Sequence, residues 1–138
     1  MLTFIDTNIF LYTFDGRNRR KQETCQQAVK QLMATEEAVV SYQVIQEFAA
    51  VALRKFAASF TPFDLNLFLN QALWPICRVY PSSSLLSNAI DIAEETGWTF
   101  YDSLIVSSAE RAGCSVLLSE DLQAGRKVLG VEIRNPFA

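Results

Sequence analysis

The sequence predicts an α/β fold: a three-layer α/β/α sandwich around a central, mainly parallel sheet. Three observations predict it. Short β-prone apolar runs alternate with segments of helical period along the chain, the pattern of strands joined by helical crossovers. The run Ser115-Val116-Leu117-Leu118 is apolar almost throughout, as expected of a strand covered on both faces. Two such runs stop abruptly in acids, at Asp6 and at Ser119-Glu120-Asp121. That is the carboxyl rim where open α/β sheets bind ligands.

The elements follow in order. Leu2–Ile5 reads as a buried first strand ending at Asp6, with Thr7 and Asn8 as candidate caps of a short helix reaching about Phe14. Asp15-Gly16 marks a turn. Arg17, Arg19, Arg20 and Lys21 then place four cations in five residues before a helix over Gln22–Ala34. Cations oppose the dipole at a helix start. The run is therefore either a solvated helix end or a contact for a phosphate backbone. Glu37–Ser41 reads as a second strand and Tyr42–Phe56 as a helix, with Val44, Ile45, Phe48, Val51 and Ala52 on one face. Glu47 lies on the border of that face, placed either to snorkel outward or to point into a pocket at the sheet edge. Thr61-Pro62-Phe63-Asp64 is a helix start that assigns Asp64 to capping.

The helix from Asp64 runs to Leu73, and Pro75 stops it. Ile76–Tyr80 is a third strand. Ser82–Ser84 caps a helix over Leu85–Thr96 that ends at Gly97. An aromatic loop leads into a helix over Ser103–Ala112 whose small residues suit close packing on a sheet. Asp102 falls in its first turn, as a cap or on the border of the packed face. Val131–Ile133 reads as an edge strand. With 138 residues and no repeat, linker or low-complexity segment, residues 1–138 form one domain.

Composition narrows the chemistry. Half of the residues are hydrophobic and a fifth charged, so a packed core is expected. No apolar run approaches the ~18 residues that cross a bilayer, and no leader pattern opens the chain; a cytoplasmic protein is expected. The three cysteines, Cys25, Cys77 and Cys114, are odd in number and scattered, and read as small core residues. There is no histidine, which excludes imidazole-based triads, bases and zinc sites. No glycine-rich phosphate loop is present. The net charge of −3 provides no global attraction for nucleic acid, so a local basic patch or a bound cation must supply it.

The remaining chemistry lies in acids. Strand ends and following helix starts share one rim of a parallel layer, so Asp6, Glu47, Asp102 and Asp121 are positioned to converge. Clustered carboxylates repel, and a bound cation removes that penalty. Oxygen ligands without His or Cys favour Mg²⁺ or Mn²⁺. Such an ion can activate a water for attack on phosphorus and stabilise the leaving oxygen. Asn8 and Ser119 are placed to orient Asp6, Asp121 or a water.

Four blocks carry a resemblance: Ile5–Tyr12, Ser41–Phe48, Phe100–Ala109 and Leu117–Gln123. In order and spacing they resemble the acidic motifs of the PIN-domain family, and the length resembles its VapC-type toxin branch. Tyr101 stands where a tryptophan is common. The resemblance implies Mg²⁺- or Mn²⁺-dependent cleavage of RNA by an endoribonuclease. Asp6 and Asp102 become direct ligands. Glu47 binds the ion directly or through water, and Asp121 completes the site or holds a second ion. It also implies an antitoxin partner and a homodimer. Phe48, Phe56, Phe60, Phe63 and Phe68 are numerous enough to include an interface, but read first as core. Two other classes compete. A receiver-like phospho-acceptor domain would need an acidic neighbour beside Asp6 and a lysine after the last core strand, and has neither. A binding or regulatory module would keep the fold and bind RNA without cutting it.

Overall fold

The computed structural model describes residues 1–58 and 60–138. The strands are β1 (Thr3–Ile5), β2 (Ala38–Ser41), β3 (Cys77–Val79), β4 (Val116–Leu118), β5 (Lys127–Val128) and β6 (Val131–Arg134). They form a sheet in the order β3-β2-β1-β4-β6-β5, parallel everywhere except between β5 and β6. The helices are α1 (Thr7–Tyr12), α2 (Arg19–Ala34), α3 (Tyr42–Lys55), α4 (Pro62–Phe68), α5 (Ser83–Thr96) and α6 (Phe100–Arg111). After α4 the chain continues through a π turn over Leu69–Leu73 and a 3₁₀ turn over Trp74–Ile76, where Pro75 stops the predicted helix.

The path β1→β2→β3 advances toward one edge, whereas β3→β4 returns past β1. Right-handed crossovers therefore put α1–α4 on one face and α5–α6 on the other. The packing agrees: α1 lies against α2 and α3, α3 against α4, and α5 against α6. This is the predicted three-layer arrangement. Fully buried side chains of the central strands, Phe4, Ile5, Val39, Val40, Leu117 and Ile133, fill the middle. Thr3, Phe4 and Ile5 pair in register with Val116, Leu117 and Leu118. The two strands thus end level, and the Asp6 amide donates to the Leu118 carbonyl at 3.0 Å.

Three sequence expectations need correction. Val131–Ile133 is not an edge: β6 is flanked by β4 and by the two-residue β5. Val128 pairs with Val131 across the loop Leu129-Gly130, whose φ angles are 50° and 80°. That is a tight hairpin with both loop residues left-handed, a geometry that suits Gly130 and that Leu129 hides from a sequence reading. Next, α6 begins at Phe100, three residues ahead of the expected start at Ser103, while Asp102 lies in its first turn as expected. Last, Phe63 is 74% exposed. It follows Pro62 at the start of α4 and faces solvent. Phe48 and Phe60 are buried, and Phe56 and Phe68 pack half-buried against the core. Cys25 and Cys114 are buried as expected, while Cys77 is half-buried on the edge strand β3.

Phe14, Phe48, Phe60 and Phe68 form an aromatic knot joining α3 and α4, with ring centroids between 4.8 Å and 6.3 Å apart. Phe48 is its most buried member, fully enclosed and one residue from Glu47. Phe48→Ala is expected to lower stability by about 3–5 kcal/mol through lost burial and a residual cavity. The shift in urea midpoint measures it.

Candidate active site

Asp6 follows β1 and caps α1. Its Oδ1 accepts from the Thr7 amide at 2.7 Å and its Oδ2 from the Ser119 hydroxyl at 2.8 Å. The cap is Asp6 itself, not Thr7 or Asn8. Thr7 instead turns its hydroxyl to Glu47 Oε2 at 2.8 Å, linking α1 to α3. Gln43, one turn earlier on α3, donates to Glu47 Oε1 at 2.9 Å. Glu47 is thus held inward and does not snorkel.

Asn8 donates to Asp121 Oδ2 at 2.6 Å, and the Asp121 amide donates to Ser119 Oγ at 3.2 Å. The two supporting residues cross over: the one beside Asp6 holds Asp121, and the one beside Asp121 holds Asp6. Asp102 reaches the site from α6. Its amide donates to the Thr99 hydroxyl at 3.2 Å, and among the described residues its carboxylate has no hydrogen-bond partner.

All four predicted acids line one cleft of about 280 Å³, together with Thr7, Asn8, Gln43 and Tyr101. No lysine or arginine lines it. None of the four acids is in an ion pair among the described residues. Burial, followed by repulsion from Asp121 and Glu47, pushes the Asp6 carboxyl up to about 6, against the hydrogen bonds from Ser119 and Thr7. Burial and the charges of Glu120, Asp102 and Glu47 raise Asp121 also, while Asn8 opposes the rise. As placed, no three acids among the described residues form a single ligand cluster. The expected convergence of the four carboxylates on one point is therefore not realised; they share the walls of one cleft. The donors are hard oxygens throughout, so the residues fit Mg²⁺ or Mn²⁺ and not a softer metal.

The neighbouring acid behaves differently. Burial alone would raise Glu120, but contacts from Lys21 and from the Tyr12 hydroxyl, the latter at 2.6 Å, hold it below the usual range. Lys21 also lies 4.8 Å from the Phe137 ring centroid. Among the candidate RNA-binding cations, Lys21 is therefore engaged. Arg17 is paired with Asp15 at 2.9 Å. Arg19 and Arg20 are exposed in the first turn of α2 without an ion pair among the described residues. A basic residue the sequence reading missed is Lys55, at the end of α3. With Arg17 it lines a second recess of about 330 Å³ that shares Asn8, Val51 and Asp121 with the acidic cleft. Gln43 was also missed, although its four-residue spacing from Glu47 on one helix was visible.

A three-layer domain with an unneutralised acidic cleft at the carboxyl rim of a mainly parallel sheet defines the class. The chain belongs to the PIN-domain family, whose model matches residues 3–127. Solved structures share the fold. A toxin–antitoxin complex from Klebsiella pneumoniae matches at 17% identity and a TM-score of 0.67, with 97% of each chain covered. VapBC2 from Rickettsia felis, bound to a DNA fragment from its promoter, matches at 17% and 0.61, with 98% of each chain covered. VapC20 from Mycobacterium tuberculosis, a toxin that cleaves the sarcin–ricin loop, matches at 16% and 0.57, covering 83% of this chain and 86% of that one. A comparison with curated protein sequences finds no match.

The folded chain holds the Asp6 proton more tightly than an unfolded chain, where the value is 3.8. In the absence of metal, its contribution to stability therefore falls as pH rises from about 4 to about 6, by up to about 3 kcal/mol. Asp6→Asn preserves both hydrogen bonds, with its oxygen to Thr7 and its amide to Ser119, and removes the charge. It is expected to raise metal-free stability at pH 7.5 by about 1–3 kcal/mol; urea unfolding of the two chains checks this.

Proposed function

We propose that the chain is a divalent-metal-dependent endoribonuclease acting as the toxin of a toxin–antitoxin pair. The observation that carries this reading is the cleft itself: four carboxylates and no cation, with Asp6 and Asp121 both raised. Such a site is incomplete without positive charge. Asp6 and Asp102 are the direct ligands in this reading, with Glu47 and Asp121 holding the ion directly or through water. Mg²⁺ or Mn²⁺ would supply the charge that activates water and neutralises the developing oxyanion. Thr7 and Gln43 fix Glu47, and Ser119 and Asn8 fix Asp6 and Asp121, so three of the four acids are already oriented in the cleft before an ion enters it.

The antitoxin reading is supported by the fold shared with toxin–antitoxin complexes. A basic side chain from such a partner would meet the same demand for positive charge and block the site. A homodimer and a cytoplasmic location belong to the same proposal. Among the described residues, no helix is long and apolar enough to cross a membrane.

Purified protein is expected to cut unstructured RNA with Mg²⁺ or Mn²⁺ and to stop on adding EDTA. Asp102→Asn leaves the Thr99 cap in place, so it should lower cleavage on the order of a hundred-fold or more with an unchanged unfolding midpoint. Full activity in Asp102→Asn, or in EDTA, contradicts the site.

Arg19 and Arg20 are the exposed cations of the α2 start. The double change Arg19→Glu, Arg20→Glu is expected to weaken RNA binding several-fold at low salt and little at high salt. Binding isotherms across a salt series, with the same changes at Arg17 for comparison, separate free from paired cations.

A further inference from the structure

The acidic cleft continues past Gln43 and Tyr101. These two residues also line a third recess of about 120 Å³, whose other walls include Tyr42, Tyr80, Pro81 and Leu104. Its lining contains no charged side chain, in contrast to the cleft it adjoins. Tyr80 and Tyr101 are 56% and 66% exposed, a large aromatic area to leave in water. Tyr42 backs the slot, its ring centroid 6.2 Å from Tyr80 and 5.8 Å from Trp74. Gln43 sits at the seam. Its amide nitrogen is used by Glu47 and by the Tyr101 carbonyl at 3.4 Å, while among the described residues its buried Oε1 has no partner.

A phosphate has nothing to bind in such a slot. A flat group with apolar faces fits it, with exposed tyrosine rings to stack against. We propose that the slot takes a nucleobase flanking the scissile phosphate of a single-stranded RNA in the cleft, stacked against Tyr80 and Tyr101. The slot rests on the nuclease reading only for where that phosphate lies. The shared walls set the spacing: a base in the slot and its phosphate in the cleft belong to neighbouring positions of one strand. The slot selects for unpaired RNA, since a base stacked within a duplex cannot enter.

The test uses full-length Asp102→Asn protein with Mg²⁺, to bind without cutting, and short unstructured oligoribonucleotides carrying 2-aminopurine at each position in turn. One position is expected to show strong fluorescence change on binding. Tyr80→Leu and Tyr101→Leu should weaken binding about ten-fold and abolish that change, the size expected for loss of one base–aromatic stack. Tyr80→Phe and Tyr101→Phe should retain both. Binding and fluorescence indifferent to the leucine changes overturn the slot. So does a leucine variant that turns a dimer into a monomer by sedimentation yet keeps the fluorescence change, because a second copy then covers this face. Wild-type cleavage assays separate the two readings. Cleavage with no tyrosine-dependent signal sinks the slot and keeps the nuclease. A tyrosine-dependent signal with no cleavage keeps the slot and sinks the nuclease.

Discussion

A buried carboxylate without a counter-charge sets the terms for this molecule. Asp6 is 8% exposed, held by one hydroxyl and one amide and opposed by two neighbouring acids. Two hydrogen bonds do not replace the water it has lost. A core built for stability alone would neutralise or replace it. The strand that carries it is the centre of the sheet, flanked by β2 and β4, so the site cannot relax without disturbing the core. The fold therefore keeps a destabilised group in a rigid place, which is how stability and activity conflict at functional sites.

Which acids remain free for chemistry is decided by neighbours and not by local sequence. Thr61-x-x-Asp64 and Thr99-x-x-Asp102 share a pattern. In the first, the exchange is reciprocal: Asp64 accepts from the Thr61 amide and hydroxyl, and its carboxylate is consumed by the cap. In the second, only the threonine caps, and the Asp102 carboxylate is left to the cleft. Glu120 and Asp121 make the same contrast between adjacent residues. Lys21 and Tyr12 draw the first into an ion pair outside the cleft, while Asn8 holds the second at its wall.

Much of this was legible in the sequence, and the boundary has physical causes. β1, β2 and β4 were readable because strands covered on both faces must be apolar without interruption, and all three run into polar residues at the same rim. Asp6, Glu47 and Asp121 were readable at the cleft because each lies at a strand's end or on the helix that follows one, whereas Asp102 follows no strand. β5 was not: two residues are too few to show a period, and its turn depends on Leu129 accepting a left-handed backbone. The exchange of partners between Asn8 and Ser119 depends on the register of β1 against β4, which local sequence does not contain. The cation run looked uniform in sequence, yet Asp15 and Glu120 divide it into paired and free members.

The second face explains how Asp102 reaches the rim at all. No strand leads directly into α6; it follows α5 after a short aromatic connection, so its start is not fixed by the strand-to-helix geometry that places Asp6 and Glu47. Its position is set by packing. Ser103, Ser107, Ser108 and Ala109 are buried on α6, and their small side chains let the helix lie close to both α5 and the sheet. Their hydroxyls are satisfied nearby: Ser107 donates to the Leu85 carbonyl of α5 at 3.0 Å, and Ser103 to the Thr99 carbonyl of its own cap at 2.8 Å. A larger residue at any of these positions would push α6 outward and carry Asp102 away from Asp6. The same close approach brings Tyr101 beside Gln43, so one packing solution closes both the acidic cleft and the aromatic slot next to it.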